Sequence, residues 1–219
     1  MASTTAGAVI PAVVFDDLVD DSRGEIVVVR HGQTEWSRSG RHTGVTDLPL
    51  LPEGEGQARG LARLLAGRTF AEVRVSPRRR AGRTAELAGL VPTAVDEDLA
   101  EVDYGGYEGL TTKQISEDLG RPWSVWKDGT VPGDTPGETL AEVGARVDRV
   151  LDRARARLTD GDVALVAHGH VLRVLTARWL GLEPSSGSLF ALPAGHLGVL
   201  GHEHGRPVLS AWALHSPLG

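Results

Sequence analysis

Two histidines of this chain stand in the same setting. Val29-Arg30-His31-Gly32 and Ala167-His168-Gly169 each place a histidine at or just after the end of a short apolar run, Glu25–Val29 and Asp162–Ala167, of the kind a buried parallel strand needs. Open α/β sheets bind ligands just outside the carboxyl ends of their strands, so two such histidines can face one small molecule. Arginines gather at the same edge. Arg30 precedes the first histidine, and Ser76 to Arg80 reads SPRRR after another strand-like run, Ala71–Val75. Guanidinium forks match phosphate oxygens bidentately, although Arg78 and Arg79 read equally well as a solvated face. Two imidazoles and two or more arginines, in a chain without cysteine, point to phosphoryl transfer through nitrogen. One imidazole attacks phosphorus, while the other and the arginines balance charge on the equatorial oxygens. Attack expels an alkoxide that needs a proton. Glu101, in the glycine- and tyrosine-bearing stretch 99–109, is the first candidate acid, Glu108 the second and Asp103 the third.

The residues also match a family. Arg30-His31-Gly32-Gln33-Thr34-Glu35-Trp36 resembles the signature of the histidine phosphatase superfamily, phosphoglycerate mutase-like branch. The likeness continues in order through Gly40–Gly44, Asp47–Leu50, Gly54–Gln57, Ser76-Pro77 with Arg80-Ala81, Glu101 with Tyr104–Gly109, Gly137-Glu138-Thr139 and His168-Gly169. It covers about residues 25–173. The resemblance implies that His31 is the phosphorylated nucleophile, that Arg30, Arg80, His168 and Gly169 form the phosphate pocket, and that Glu101 is the proton donor. Ser37, Thr43 and Gly44 fall where family members line the substrate entrance, Ser37 replacing the asparagine common there. The implied fold is a three-layer α/β/α sandwich with a mostly parallel sheet, and the implied chemistry uses no metal or other cofactor. Segments 33–37, 43–50 and 104–109 look especially like sugar-bisphosphatases and broad acid phosphatases.

The elements that must position these residues are legible as alternating runs. Helices are predicted over Glu53–Leu65, Arg80–Ala88, Leu140–Leu158 and Val171–Leu180, with a third strand at Thr93–Val95 and further strands within Leu189–Leu214 around a turn at His204–Arg206. Strands alternating with helices make an α/β layered sheet. The 219 residues suit one domain over 25–219, preceded by an extension over 1–24, partly disordered, whose apolar stretch Ala8–Phe15 runs into four aspartates. A formal charge of −6 argues against a nucleic acid or anionic membrane partner. The absence of a targeting segment predicts a cytoplasmic enzyme, monomeric or homodimeric, acting on a small phosphorylated metabolite.

Other features read as packing. Trp36, Trp123, Trp126, Trp179 and Trp212 suit core or rim positions, and His202-Glu203-His204 lacks an evident third metal ligand. His42 reads either as a residue of the pocket mouth or as a solvated loop histidine. Two alternatives to a phosphohydrolase are a phosphoglycerate mutase and a non-catalytic phospholigand-binding protein. The second would need a missing catalytic residue. A mutase needs basic cover between Glu101 and His168, where this chain carries Lys113, Arg121, Lys127 and five arginines, Arg146 to Arg157, expected on the solvated face of the Leu140 helix. Hydrolysis is the expectation.

Overall fold

A computed structural model describes residues 23–130 and 137–216. The extension over 1–22, the centre of the Gly/Pro-rich run at 131–136 and the last three residues lie outside them. Six strands form one sheet: β1 (Ile26–Arg30), β2 (Phe70–Val75), β3 (Ala94–Val95), β4 (Asp162–Ala167), β5 (Leu197–Glu203) and β6 (Arg206–Leu214), in the order β3-β2-β4-β1-β5-β6. The first four are mutually parallel where they pair, and β5 and β6 run antiparallel. The sheet is thus mixed but mostly parallel, as expected.

Side chains of β1 and β4 alternate between two cores, and that alternation builds the layers. Ile26, Val28, Val163 and Leu165 pack with α6 (Leu140–Arg155) and α7 (Gly169–Trp179) on one face. Val27, Val29, Ala164 and Val166 pack with α2 (Pro52–Leu65) and α3 (Arg79–Leu87) on the other. This is the α/β/α sandwich. Shorter helices α1 (Glu35–Ser39), α4 (Thr112–Asp118) and α5 (Val125–Asp128) fill the connections at the C-terminal edge of the strands.

Three details depart from the sequence reading. Helix α7 begins at Gly169, directly after His168, and not at Val171, because the carboxylate that caps its first N–H groups comes from Glu101, far away in sequence. The segment Leu189–His196 is a 3₁₀ end and a loop, so β5 starts only at Leu197. Arg146 is not on a solvated face. It is 8% exposed and paired with Glu138, because that side of α6 meets the carbonyls of the turn and loop after β3, at Asp98 and Ala100, rather than water. The other arginines of this run bear out the solvated face: Arg149, Arg155 and Arg157 are exposed and Arg153 is half-buried, Arg149 and Arg153 pairing with Asp98, Arg155 with Asp152 and Arg157 with Asp160.

Leu165, at the middle of β4 and fully buried between β1 and β2, tests the layered core. Leu165→Ala is expected to cost about 2–5 kcal/mol in urea unfolding while leaving the specific activity of the folded protein within about twofold; a change below about 1 kcal/mol would contradict the packing described.

Candidate active site

Parallel pairing of β1 with β4 sets Arg30 opposite Ala167. The chain leaves both strands at the same edge, and the His31 N–H donates to the Ala167 carbonyl at 3.0 Å. His31 and His168 therefore lie side by side, ring centroids 5.1 Å apart. The His31 Nδ1 lies 2.7 Å from the Gly32 carbonyl oxygen. A carbonyl only accepts, so Nδ1 carries the hydrogen and Nε2 keeps its lone pair. Burial, then the charges of Arg30 and Arg80, push the pKa of His31 well below 6.5. The imidazole is neutral, with a free nucleophilic nitrogen.

His168 is fully buried and its two nitrogens are spent on protein. Arg80 Nε donates to Nδ1 at 3.1 Å. Nδ1 is therefore the acceptor, and Nε2 donates to Ser76 Oγ at 2.6 Å. Burial first, and then Arg80, His31 and Arg30, hold its pKa well below 6.5. His168 is thus a neutral ring that fixes the guanidinium of Arg80. That guanidinium also donates to the carbonyls of Thr46 at 2.8 Å and Thr43 at 3.2 Å, with Gly44 O at 3.4 Å and Asp47 Oδ1 at 3.9 Å. Arg30 donates through Nη1 to the Leu192 carbonyl at 2.6 Å, while its Nε is buried without a hydrogen-bond partner. Gly169 permits this placement: a Cβ there would lie 3.0 Å from the Arg30 Cζ. The structure brings two guanidinium groups and two neutral imidazoles to one point, an arrangement suited to an oxyanion carrying two charges.

Glu101 reaches the same point from the loop after the Glu97–Leu99 3₁₀ turn. Its carboxylate accepts from the N–H groups of His170 at 3.0 Å and Val171 at 2.9 Å. The first turn of α7 thereby holds it beside the histidine that ends β4. Glu108, the rival acid, is engaged elsewhere. It accepts from Gly44 N at 2.9 Å and Thr46 N at 3.0 Å, and so pins the loop whose carbonyls hold Arg80. Asp103 accepts from Gly105 N within its own turn. Thr43 and Gly44 reach the centre through main-chain atoms only. The Ser37 hydroxyl caps α1, accepting from Thr34 N at 2.9 Å and donating to Thr34 O at 3.1 Å.

Sequence reasoning assigned no role to a wall of rings beside Glu101. His170 Nδ1 lies 4.0 Å from Glu101 Oε2 and 2.6 Å from the Tyr104 hydroxyl. Its ring packs on Trp126 at 5.0 Å, and the guanidinium of Arg173 covers the same indole at 4.5 Å. His42 joins this wall by packing on Tyr104 at 4.7 Å and Trp123 at 5.3 Å. Burial lowers its pKa to about 4. Of these residues the sequence reading placed only His42 at the mouth of the pocket, as one of two alternatives; His170 follows Gly169 directly and was not singled out. Of the other tryptophans, Trp179 is buried, with His202 5.0 Å from it, and Trp212 packs against the same core. Among the described residues no three His, Asp or Glu side chains converge as metal ligands, and no helix is long and apolar enough to cross a membrane.

Comparison with known proteins agrees with this geometry. The chain is 42% identical over 196 residues to an acid phosphatase of Mycobacterium tuberculosis, covering 86% of this chain and 92% of that one. It is 38% identical over 182 residues to a sedoheptulose 1,7-bisphosphatase of Saccharomyces cerevisiae, covering 71% and 67%. The solved structure of a Mycobacterium tuberculosis open reading frame superposes with a TM-score of 0.82 at 40% identity, over 88% of this chain and 98% of that one. The sequence model of the histidine phosphatase superfamily (branch 1) matches residues 26–215. With its fold, its ordered motifs and nearly its whole described length in agreement, the chain belongs to the histidine phosphatase superfamily, branch 1, and is a phosphatase.

Proposed function

We propose that this chain is a metal-independent phosphomonoester hydrolase that works through a phosphohistidine at His31, on small phosphorylated metabolites of the sugar phosphate class. One observation carries the reading: His31 holds its proton on Nδ1 against the Gly32 carbonyl, with its Nε2 lone pair beside two buried guanidinium groups. The Nε2 of His31 attacks phosphorus and the P–O bond to the leaving group breaks. Glu101 in its carboxylic acid form gives its proton to the departing oxygen. Water then attacks the phosphohistidine, its proton passes to the Glu101 carboxylate, and the N–P bond breaks to release phosphate. Arg30 and Arg80 neutralise the phosphoryl oxygens throughout. His168 acts as the fixed support of Arg80.

Hydrolysis is favoured over phosphoglycerate mutation because, of the basic residues between Glu101 and His168, only Lys113, Arg121 and Lys127 precede α6, and the Gly/Pro-rich run Gly129–Gly137 carries none. Arg146 is paired with Glu138, Arg149 and Arg153 with Asp98, Arg121 with Asp128 and Lys113 with Glu117. A sugar phosphate fits the likeness to a sedoheptulose bisphosphatase.

Four outcomes test the scheme. Acid-sensitive, alkali-stable label from a ³²P-phosphomonoester should appear on the wild type and vanish in His31→Ala, and 3-phosphoglycerate with catalytic 2,3-bisphosphoglycerate should yield free phosphate in excess of 2-phosphoglycerate. Rapid isomerisation with negligible phosphate would instead make the chain a mutase. Glu101→Gln should lower kcat/KM for alkyl phosphates by about 10²–10⁴ and that for p-nitrophenyl phosphate far less; equal losses would remove Glu101 from the acid role.

The fourth outcome concerns pH. Protonation of His31 removes its lone pair, so activity falls only as pH drops through its folded pKa, which lies well below 6.5. Between pH 6.5 and 5.5, kcat/KM for p-nitrophenyl phosphate, whose leaving group needs no proton from Glu101, should change by less than about threefold once corrected for ionisation of the substrate. A group titrating at 6.5 would leave about a tenth of the nucleophile neutral at pH 5.5, so a loss of that size would show that burial does not hold His31 neutral.

A further inference from the structure

Gly137-Glu138-Thr139 is a motif that the scheme above does not use, and Arg146 is the arginine whose burial overturned a sequence expectation. The two belong together. Arg146 Nε and Nη2 donate to the two carboxylate oxygens of Glu138 at 2.6 and 2.9 Å. Its Nη1 donates to the carbonyls of Asp98 and Ala100, both at 2.7 Å. Glu138 continues the clamp on the far side: its Oε2 accepts from Asp103 N at 3.2 Å, and its own N–H donates to Asp103 O at 2.8 Å. The main chain is therefore gripped just before Glu101 at residues 98 and 100, and just after it at residue 103.

Each member of the motif serves this grip. Gly137 lies so close to the loop that a Cβ would come within 2.5 Å of Thr130 Oγ1 and 2.8 Å of Asp103 O. Thr139 caps α6, accepting from Glu142 N, and so fixes the helix that delivers Arg146. Asp98 is tied in addition by Arg149 and Arg153. Two 2.7 Å bonds to neutral carbonyls and a bidentate ion pair, nearly out of solvent, form a rigid device. A surface ion pair would hold nothing in place.

We propose that the Arg146–Glu138 pair is a positioning element for the general acid, setting the height of the Glu101 carboxylate against the first turn of α7. This rests on the assignment of Glu101 as proton donor. A lateral error on the order of 1 Å at a proton-transfer group costs up to about a hundredfold, and the cost falls on the step in which the proton moves.

The test uses the full chain and a series of phosphomonoesters running from p-nitrophenyl phosphate to alkyl and sugar phosphates. The readout is kcat/KM, which covers the steps up to departure of the leaving group. Arg146→Lys keeps a charge but cannot span Glu138 and two carbonyls at once; Glu138→Gln keeps the shape and loses the ion pair. Both should lower kcat/KM for alkyl esters about tenfold or more, leave p-nitrophenyl phosphate within about threefold, and steepen the dependence on leaving-group pKa. Added to Glu101→Gln, Arg146→Lys should cost alkyl esters little more, because the group it positions is already gone. If Arg146→Lys does not fold, Glu138→Gln carries the test. Equal losses along the series, or full additivity with Glu101→Gln, would make the pair a stabilising contact and overturn the proposal. If Glu101→Gln alone fails to discriminate between leaving groups, the acid assignment falls first and the positioning role goes with it.

Discussion

The centre of this protein is built around buried positive charge without a carboxylate in hydrogen-bonding contact. Arg30 and Arg80 are both pushed below their usual pKa by burial, with Glu101 acting on each only through space. Taking a guanidinium out of water costs several kcal/mol unless its protons find acceptors. Here the acceptors are neutral: the carbonyls of Leu192, Thr43 and Thr46 and the Nδ1 of His168. Carbonyls and an imidazole satisfy N–H groups without cancelling the charge. The field stays available for an anion, and burial first, with this field second, keeps both histidines neutral, which is the form a nucleophile needs.

That requirement explains the surrounding architecture. A neutral cradle for Arg80 takes a loop that turns several carbonyls inward, and such a loop does not hold itself. Glu108 supplies the force by accepting from Gly44 and Thr46. The two glutamates of one short stretch therefore do opposite work. Glu108 faces the entrance loop and fixes a cation at second hand. Glu101 faces the start of α7, where the N–H groups of His170 and Val171 hold its side chain in place.

How much of this is visible in the sequence depends on how far apart the partners lie. His31 and His168 were legible because each follows a run whose burial is written in its own residues, and strand ends are where such sheets bind ligands. The core of β1 and β4 was legible for the same reason. The start of α7 was not, because its capping group lies 69 residues away. Arg146 was misplaced because periodicity counts residues per turn and cannot see that one face of α6 meets loop carbonyls instead of water. Ser37 was placed at the entrance by likeness of position, while its part in a capping box with Thr34 is written in the local spacing of the two residues. The ring wall of His42, Tyr104, Trp126 and His170 comes from four separate segments, and no single-chain pattern joins them.

A common logic runs through the long-range contacts. Carboxylates are held by main-chain N–H groups and guanidiniums by main-chain carbonyls, so the site's side chains are anchored to the backbone more than to each other. Anchoring of this kind transfers the precision of the sheet and helices to the reacting atoms, because the backbone positions are already fixed by the two cores. It also separates two kinds of sensitivity. Removing His31 or Glu101 deletes a chemical group and leaves the layers intact. Disturbing Gly169, whose missing Cβ makes room for the Arg30 guanidinium, shifts the frame on which several groups depend at once.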